Sequence, residues 1–126
     1  MDIKIQREPL LKALQLIVGV VERRPTIPIL SHVLLIAENG YLQAIVTDLE
    51  VQISVLVKIE AENEAGRVTV PARKLVDICR TLNQDSIELK QNDQRLILKA
   101  GRGKYTLSIL PAAEFPHVEI GPAVSE

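Results

Sequence analysis

Residues 68–82 read VTVPARKLVDICRTL. Val68-Thr69-Val70 alternates apolar and polar, the pattern of a strand with one buried face. Pro71 then suits the first turn of a helix, because its missing N–H would have no partner there and its φ is already helical. Ala72, Leu75, Val76, Cys79 and Leu82 follow on one helical stripe, with Arg73, Asp77 and Arg80 opposite and Lys74 at the margin. The stretch predicts a strand at 68–70 and a helix at 71–82.

The same order occurs at the N-terminus. Ile3-Lys4-Ile5 alternates, Glu8-Pro9 suits a helix start, and Leu10, Leu11, Leu14, Ile17, Val18 and Val21 make one stripe with Lys12, Gln15, Gly19 and Glu22 opposite. A shift of 65 places Ile3, Ile5, Leu10, Leu11, Leu14 and Ile17 on Val68, Val70, Leu75, Val76, Cys79 and Leu82, all apolar. Beyond the helices the best shift is 53, which lays Asn39-Gly40 on Asn92-Asp93 and TDLE (47–50) on AGRG (100–103). The difference, about a dozen residues, falls where RRPTIPIL (23–30) lies, a segment its prolines keep out of helix.

Strands are expected at 33–37 and 41–47 around the Asn39-Gly40 hairpin signal, at 51–59, at 86–91, at 95–100 and at 104–110. Residues 60–66 read as a polar loop. The chain is therefore an α+β fold built from a duplicated β-α-β-β-β unit. The expected boundaries are 1–60 for the first repeat, 66–110 for the second, and 111–126 as a tail or linker. Each short sheet has one inner face and each helix one apolar stripe, so both helices are expected side by side against the sheets, polar sides together and outward.

Composition narrows the function. Hydrophobic content of 47% with 25% charge is that of an ordinary globular domain, and 126 residues suit one. Only 2% of residues are aromatic, so the core must be Ile, Leu and Val. There is no apolar run long enough for a membrane span, and MDIKIQRE lacks the features of a secretory signal. A single cysteine forms no internal disulfide, which fits a reducing cytoplasm.

The formal charge of −1 gives no basic excess of the kind nucleic-acid binders usually show. Placement matters more than the sum. Lys12, Arg73, Lys74 and Arg80 with Arg23 and Arg24 make a basic helical side, while Glu60, Glu62, Glu64, Asp85, Glu88, Asp93, Glu114, Glu119 and Glu126 are expected on loops, strands and tail. The plain alternative is that these cations are only a solvated helix surface.

PTIPIL (25–30), TDLE (47–50), VPARK (70–74) with DICR (77–80), and LPAAEFP (110–116) resemble, in order and spacing, the N-terminal domain of the bacterial sliding clamp, the β subunit of DNA polymerase III. The resemblance implies a DNA replication processivity factor. Three such domains per subunit, and two subunits head to tail, close a ring around duplex DNA with helices lining the hole and sheets outside. It implies that Arg24 and Arg73 contact DNA, with Arg80 a further candidate. It also implies that Lys74, Arg102, Lys104 and Leu107 meet the second subunit. For Arg102 and Lys104, charge that guards an edge strand is the alternative. Polymerase and clamp loader would bind domains beyond these residues, and the 126 residues alone are expected to be a folded monomer or weak oligomer.

No catalytic constellation is expected, and no cofactor or metal. Cys79 sits on an apolar stripe as core filler. His32 and His117 have no companions at ligand spacing. Asp48 and Glu50 suit a turn better than a catalytic pair. Gly101-Arg102-Gly103 precedes no helix, unlike a phosphate loop. The competing reading is a protein-interaction module that adds a partner strand to an exposed sheet edge.

Overall fold

The computed structural model describes residues 1–21 and 28–116. The first repeat runs β1 (Asp2–Gln6), α1 (Arg7–Val21), β2 (His32–Glu38), β3 (Tyr41–Thr47) and β4 (Gln52–Glu64). The second runs β5 (Gly66–Pro71), α2 (Ala72–Thr81), β6 (Ser86–Asn92), β7 (Arg95–Ala100) and β8 (Gly103–Ser108). The duplicated β-α-β-β-β unit read from the apolar phases is the order found. Asn39 and Gly40 both take positive φ (54° and 83°), as a two-residue hairpin between right-twisted strands requires.

The strands do not form separate sheets. They make one antiparallel sheet of eight, in the order β5-β2-β3-β4-β1-β6-β7-β8. Each half of that order is one repeat's last three strands completed by the other repeat's first strand. Thus β5 pairs with β2, and β1 pairs with β6. At the junction β1 also pairs with β4, and that ladder carries two register shifts. Such irregularities bend a sheet locally and let two halves meet at an angle.

This pairing also explains the longest departure from expectation. Residues 60–64 were expected in a polar loop but continue β4, because β1 offers them a strand to pair with. Their acidic side chains find acceptor roles locally. Glu62 Oε1 accepts the Gly40 N–H at 3.0 Å, and Glu60 accepts the Ser86 hydroxyl.

Both helices pack on one sheet face. Leu10, Leu14, Ile17 and Val21 of α1 and Leu75, Val76 and Cys79 of α2 share a core with Ile3, Ile5, Val68, Val70, Ile87 and Leu98. A fully buried leucine or isoleucine contributes on the order of 1.5–3 kcal/mol. Among the described residues, the opposite face is covered over β2 and β3. There Leu34, Ile36 and Ile45 pack with Phe115, Ile29 and Ala112. Residues 111–116, expected as an unpatterned tail, are therefore a strap: a 3-10 turn at Ala112–Glu114 delivers Phe115 to the sheet. No period announces this, because one aromatic anchor has none.

Arg7 ties the two repeats together. Its Nη1 donates to Cys79 O and its Nε to Gln84 O, both at 3.0 Å, while its own N–H donates to Asp85 O at 2.8 Å. Cys79 O is one of the carbonyls that α2 leaves unpaired at its C-terminus, where a cation is also favoured by the helix dipole. A cation in the first turn of its own helix opposes that helix's dipole, so Arg7 belongs electrostatically to α2. Arg7→Met removes two charge-assisted hydrogen bonds. Such bonds are worth roughly 1.5–3 kcal/mol when buried, and partial exposure puts this loss at about 1.5 kcal/mol. A urea midpoint equal to that of the parent chain would contradict this.

The two ends of the sheet touch at one point. Leu110 N–H donates to Thr69 O at 3.2 Å, and the Thr69 hydroxyl donates to Leu110 O at 3.0 Å. With its one proton used, Thr69 Oγ1 accepts from His32 Nδ1 at 3.2 Å, which places a proton on Nδ1. Burial lowers the pKa of His32 below its ordinary 6.5, opposed in part by a hydrogen bond with the Thr69 backbone. The folded state thus resists the proton that the unfolded chain accepts. The contribution of His32 to stability is complete above pH 6.5 and is lost as the pH drops below that value. The denaturation midpoint is expected to decline over this interval in the parent and to decline less in His32→Gln. Equal slopes in the two proteins would refute the role of His32.

Candidate nucleic-acid interface

Because the apolar stripes of α1 and α2 are both committed to the sheet, their polar sides share one surface. Lys12 and Gln15 of α1 are exposed there, as are Arg73, Lys74, Asp77 and Arg80 of α2. Leu16 also lies on this side and is 76% exposed, a large apolar residue that neither stripe accounts for. Arg23 and Arg24 lie outside the described residues, as does His117.

Two of the cations, Arg80 and Lys12, are tempered by carboxylates one turn away on the same helix. Arg80 Nη2 lies 2.9 Å from Asp77 Oδ1, and Lys12 Nζ lies 3.8 Å from Glu8 Oε1. Exposed pairs of this spacing stabilise a helix by a few tenths of a kcal/mol. Their larger consequence is electrostatic: each cation presents itself to a distant charge as part of a dipole.

The residues expected at a subunit contact are distributed unequally. Lys74 is exposed on α2, Arg102 is exposed in the β7–β8 turn, and Lys104 is exposed on β8. The Leu107 side chain is 4% exposed and belongs to the helix-side core, so within this domain it is not a free surface group. Its neighbours on β8 alternate outward, and the strand's period of two decides which residues a partner could reach.

The sheet's outer face is also less acidic than the sequence suggested. Cross-strand register lines up Lys4, Glu88, Lys99 and Lys104 on successive strands. Acids and bases alternate along most of that row, with Lys99 directly opposite Lys104 at its end. The surface is mixed rather than acidic, because side-chain direction in a strand follows register, which composition does not carry.

The other candidates have structural roles. Asp48 Oδ1 accepts the N–H groups of Glu50 and Val51 at 3.0 and 2.8 Å, forming the turn its sequence suggested. The Cys79 thiol is buried and its pKa is pushed up to about 12, which makes it inert at neutral pH. Arg7 was missed by sequence reasoning. The available signal was a cation in a first helical turn, where its own helix disfavours it.

Comparison with known proteins bears on this surface. A family model described as the N-terminal domain of the DNA polymerase III beta subunit matches residues 1–119. The beta sliding clamp of Pseudomonas putida is 54% identical over 123 residues, covering 97% of this chain and 34% of the relative. That of Escherichia coli K12 is 41% identical over 120 residues, covering 94% and 33%. The solved sliding clamp of Pseudomonas aeruginosa bound to griselimycin superposes with a TM-score of 0.89 at 54% identity, over 97% of this chain and 33% of that one. The chain spans about a third of the length of these relatives. It belongs, over that third, to the DNA polymerase III beta subunit family, the bacterial sliding clamps, and corresponds to their N-terminal domain.

Proposed function

We propose that this chain is the first domain of a ring-shaped clamp that encircles duplex DNA and tethers a replicative polymerase to it. The observation that carries the reading is a family match across residues 1–119 on a chain whose helices turn Lys12, Arg73, Lys74 and Arg80 away from the sheet. In this reading the helical side faces the phosphates of the enclosed duplex. Phosphate contacts carry no sequence information, and no position along the backbone is preferred, so the ring slides.

Arg24, Arg73 and Arg80 are the DNA-facing residues of this proposal. Lys74, Arg102 and Lys104, with the backbone edge of β8 at Leu107, meet the second subunit. Residues 111–126 lead toward a second domain, and polymerase and clamp loader bind through parts of the subunit beyond it. The domain works inside the cell as a non-catalytic accessory of the polymerase. Among the described residues no helix is long and apolar enough to cross a membrane. The alternative, strand addition by an unrelated partner at a free sheet edge, is less supported, because the family match across residues 1–119 favours a clamp domain.

In the full-length protein, combining Arg24→Ala, Arg73→Ala and Arg80→Ala is expected to weaken association with a labelled duplex. Each lost phosphate contact lowers the steepness of log K against log salt by about 0.9. The melting temperature should hold, since exposed substitutions of this kind usually stay within about 0.5 kcal/mol. DNA association unchanged at low salt would overturn the assignment of these arginines.

A further inference from the structure

We infer that Asp77 and Glu8 are residues that set how strongly the helical surface holds DNA, by occupying Arg80 and Lys12 and so keeping the grip weak enough for sliding. The inference rests on the reading of that surface as the one facing DNA, and deepens it.

The geometry is specific. Arg80 Nη2 and Asp77 Oδ1 are 2.9 Å apart, at a spacing of three residues on α2, with side chains 58% and 57% exposed. Lys12 Nζ and Glu8 Oε1 are 3.8 Å apart, four residues apart on α1, at 75% and 66% exposure. Neither carboxylate is part of the core, since both lie on the solvent side of helices whose stripes are already buried, although Glu8 also stands in the first turn of α1, where the helix dipole favours an acid. Each pair instead sits on the surface proposed to meet phosphates.

A guanidinium held by a carboxylate attracts a phosphate less in two ways. The pair's field falls off as that of a dipole, and at physiological ionic strength the Debye length is about 8 Å, so little of it survives across a hydrated gap. The carboxylate also repels the phosphate when the duplex comes close. An exposed pair is nonetheless weak and exchanges readily with water. Such a pair therefore tunes binding without abolishing it. A ring has different needs from a sequence-specific binder: topology keeps it on DNA, and each strong phosphate contact would only slow its movement.

Asp77→Asn removes the charge and keeps the shape. Freed Arg80 then gains up to one phosphate contact per site, which steepens the salt slope by about 0.9 and tightens binding by up to about fivefold at 0.15 M salt. The experiment measures association of the full-length protein with a fluorescent duplex across a salt series, for the parent, Asp77→Asn, Arg80→Ala and the double variant Asp77→Asn with Arg80→Ala. The inference expects tighter, steeper binding in Asp77→Asn, and loss of that gain in the double variant. A gain that persists without Arg80 overturns it, because simple loss of a negative charge would then explain the effect. Unchanged or weaker binding in Asp77→Asn, with weaker binding in the triple variant Arg24→Ala, Arg73→Ala, Arg80→Ala, overturns it and leaves the DNA-facing assignment intact. Insensitivity of all these variants overturns both. Glu8→Gln, paired with Lys12→Ala, repeats the comparison on α1.

Discussion

The position of β1 holds this domain together. It lies between β4 of its own repeat and β6 of the other, hydrogen-bonded on both sides, with Ile3 and Ile5 buried beneath the helices. β5 makes the reciprocal move against β2. Neither repeat can complete its half of the sheet without the other's first strand. Each repeat alone would leave an open edge and half a hydrophobic face, and so would be marginal by itself. The exchange makes one cooperative unit out of two similar ones. Arg7 reinforces it from the helix side, using the first residue of α1 to satisfy one carbonyl in the last turn of α2 and another just past its end.

That arrangement also determines what the surface can do. With both apolar stripes facing one sheet, the remaining helical sides are brought together without further instruction. Their cations become neighbours although the chain as a whole carries a formal charge of −1. Local charge matters to a nearby polyanion far more than the total does, because screening removes distant contributions. Asp77 and Glu8 show that even the local surface is moderated. A mixed outer sheet face, with acids and bases in register on adjacent strands, favours no single class of charged ligand.

Much of this was legible from residue order. Elements with a strong period were found nearly where expected: the helices from the stripes at Leu10–Val21 spacing and at Leu75, Val76 and Cys79, and the hairpin from Asn39-Gly40. The errors fell where period is absent or where a partner overrides composition. Residues 60–64 are polar and still form strand, since β1 pairs with them. Phe115 is a lone anchor in a proline-rich segment.

By itself, then, the sequence determined the elements, their duplication, and which side of each helix is apolar. These are local properties, set by side-chain spacing along a backbone of fixed period. The tertiary structure alone decided which repeat each first strand joins, that eight strands make one sheet, and that Arg7 serves α2. Those outcomes depend on where distant residues are brought in three dimensions. A period of two or of 3.6 carries no information about which distant neighbour a strand edge or a guanidinium will meet.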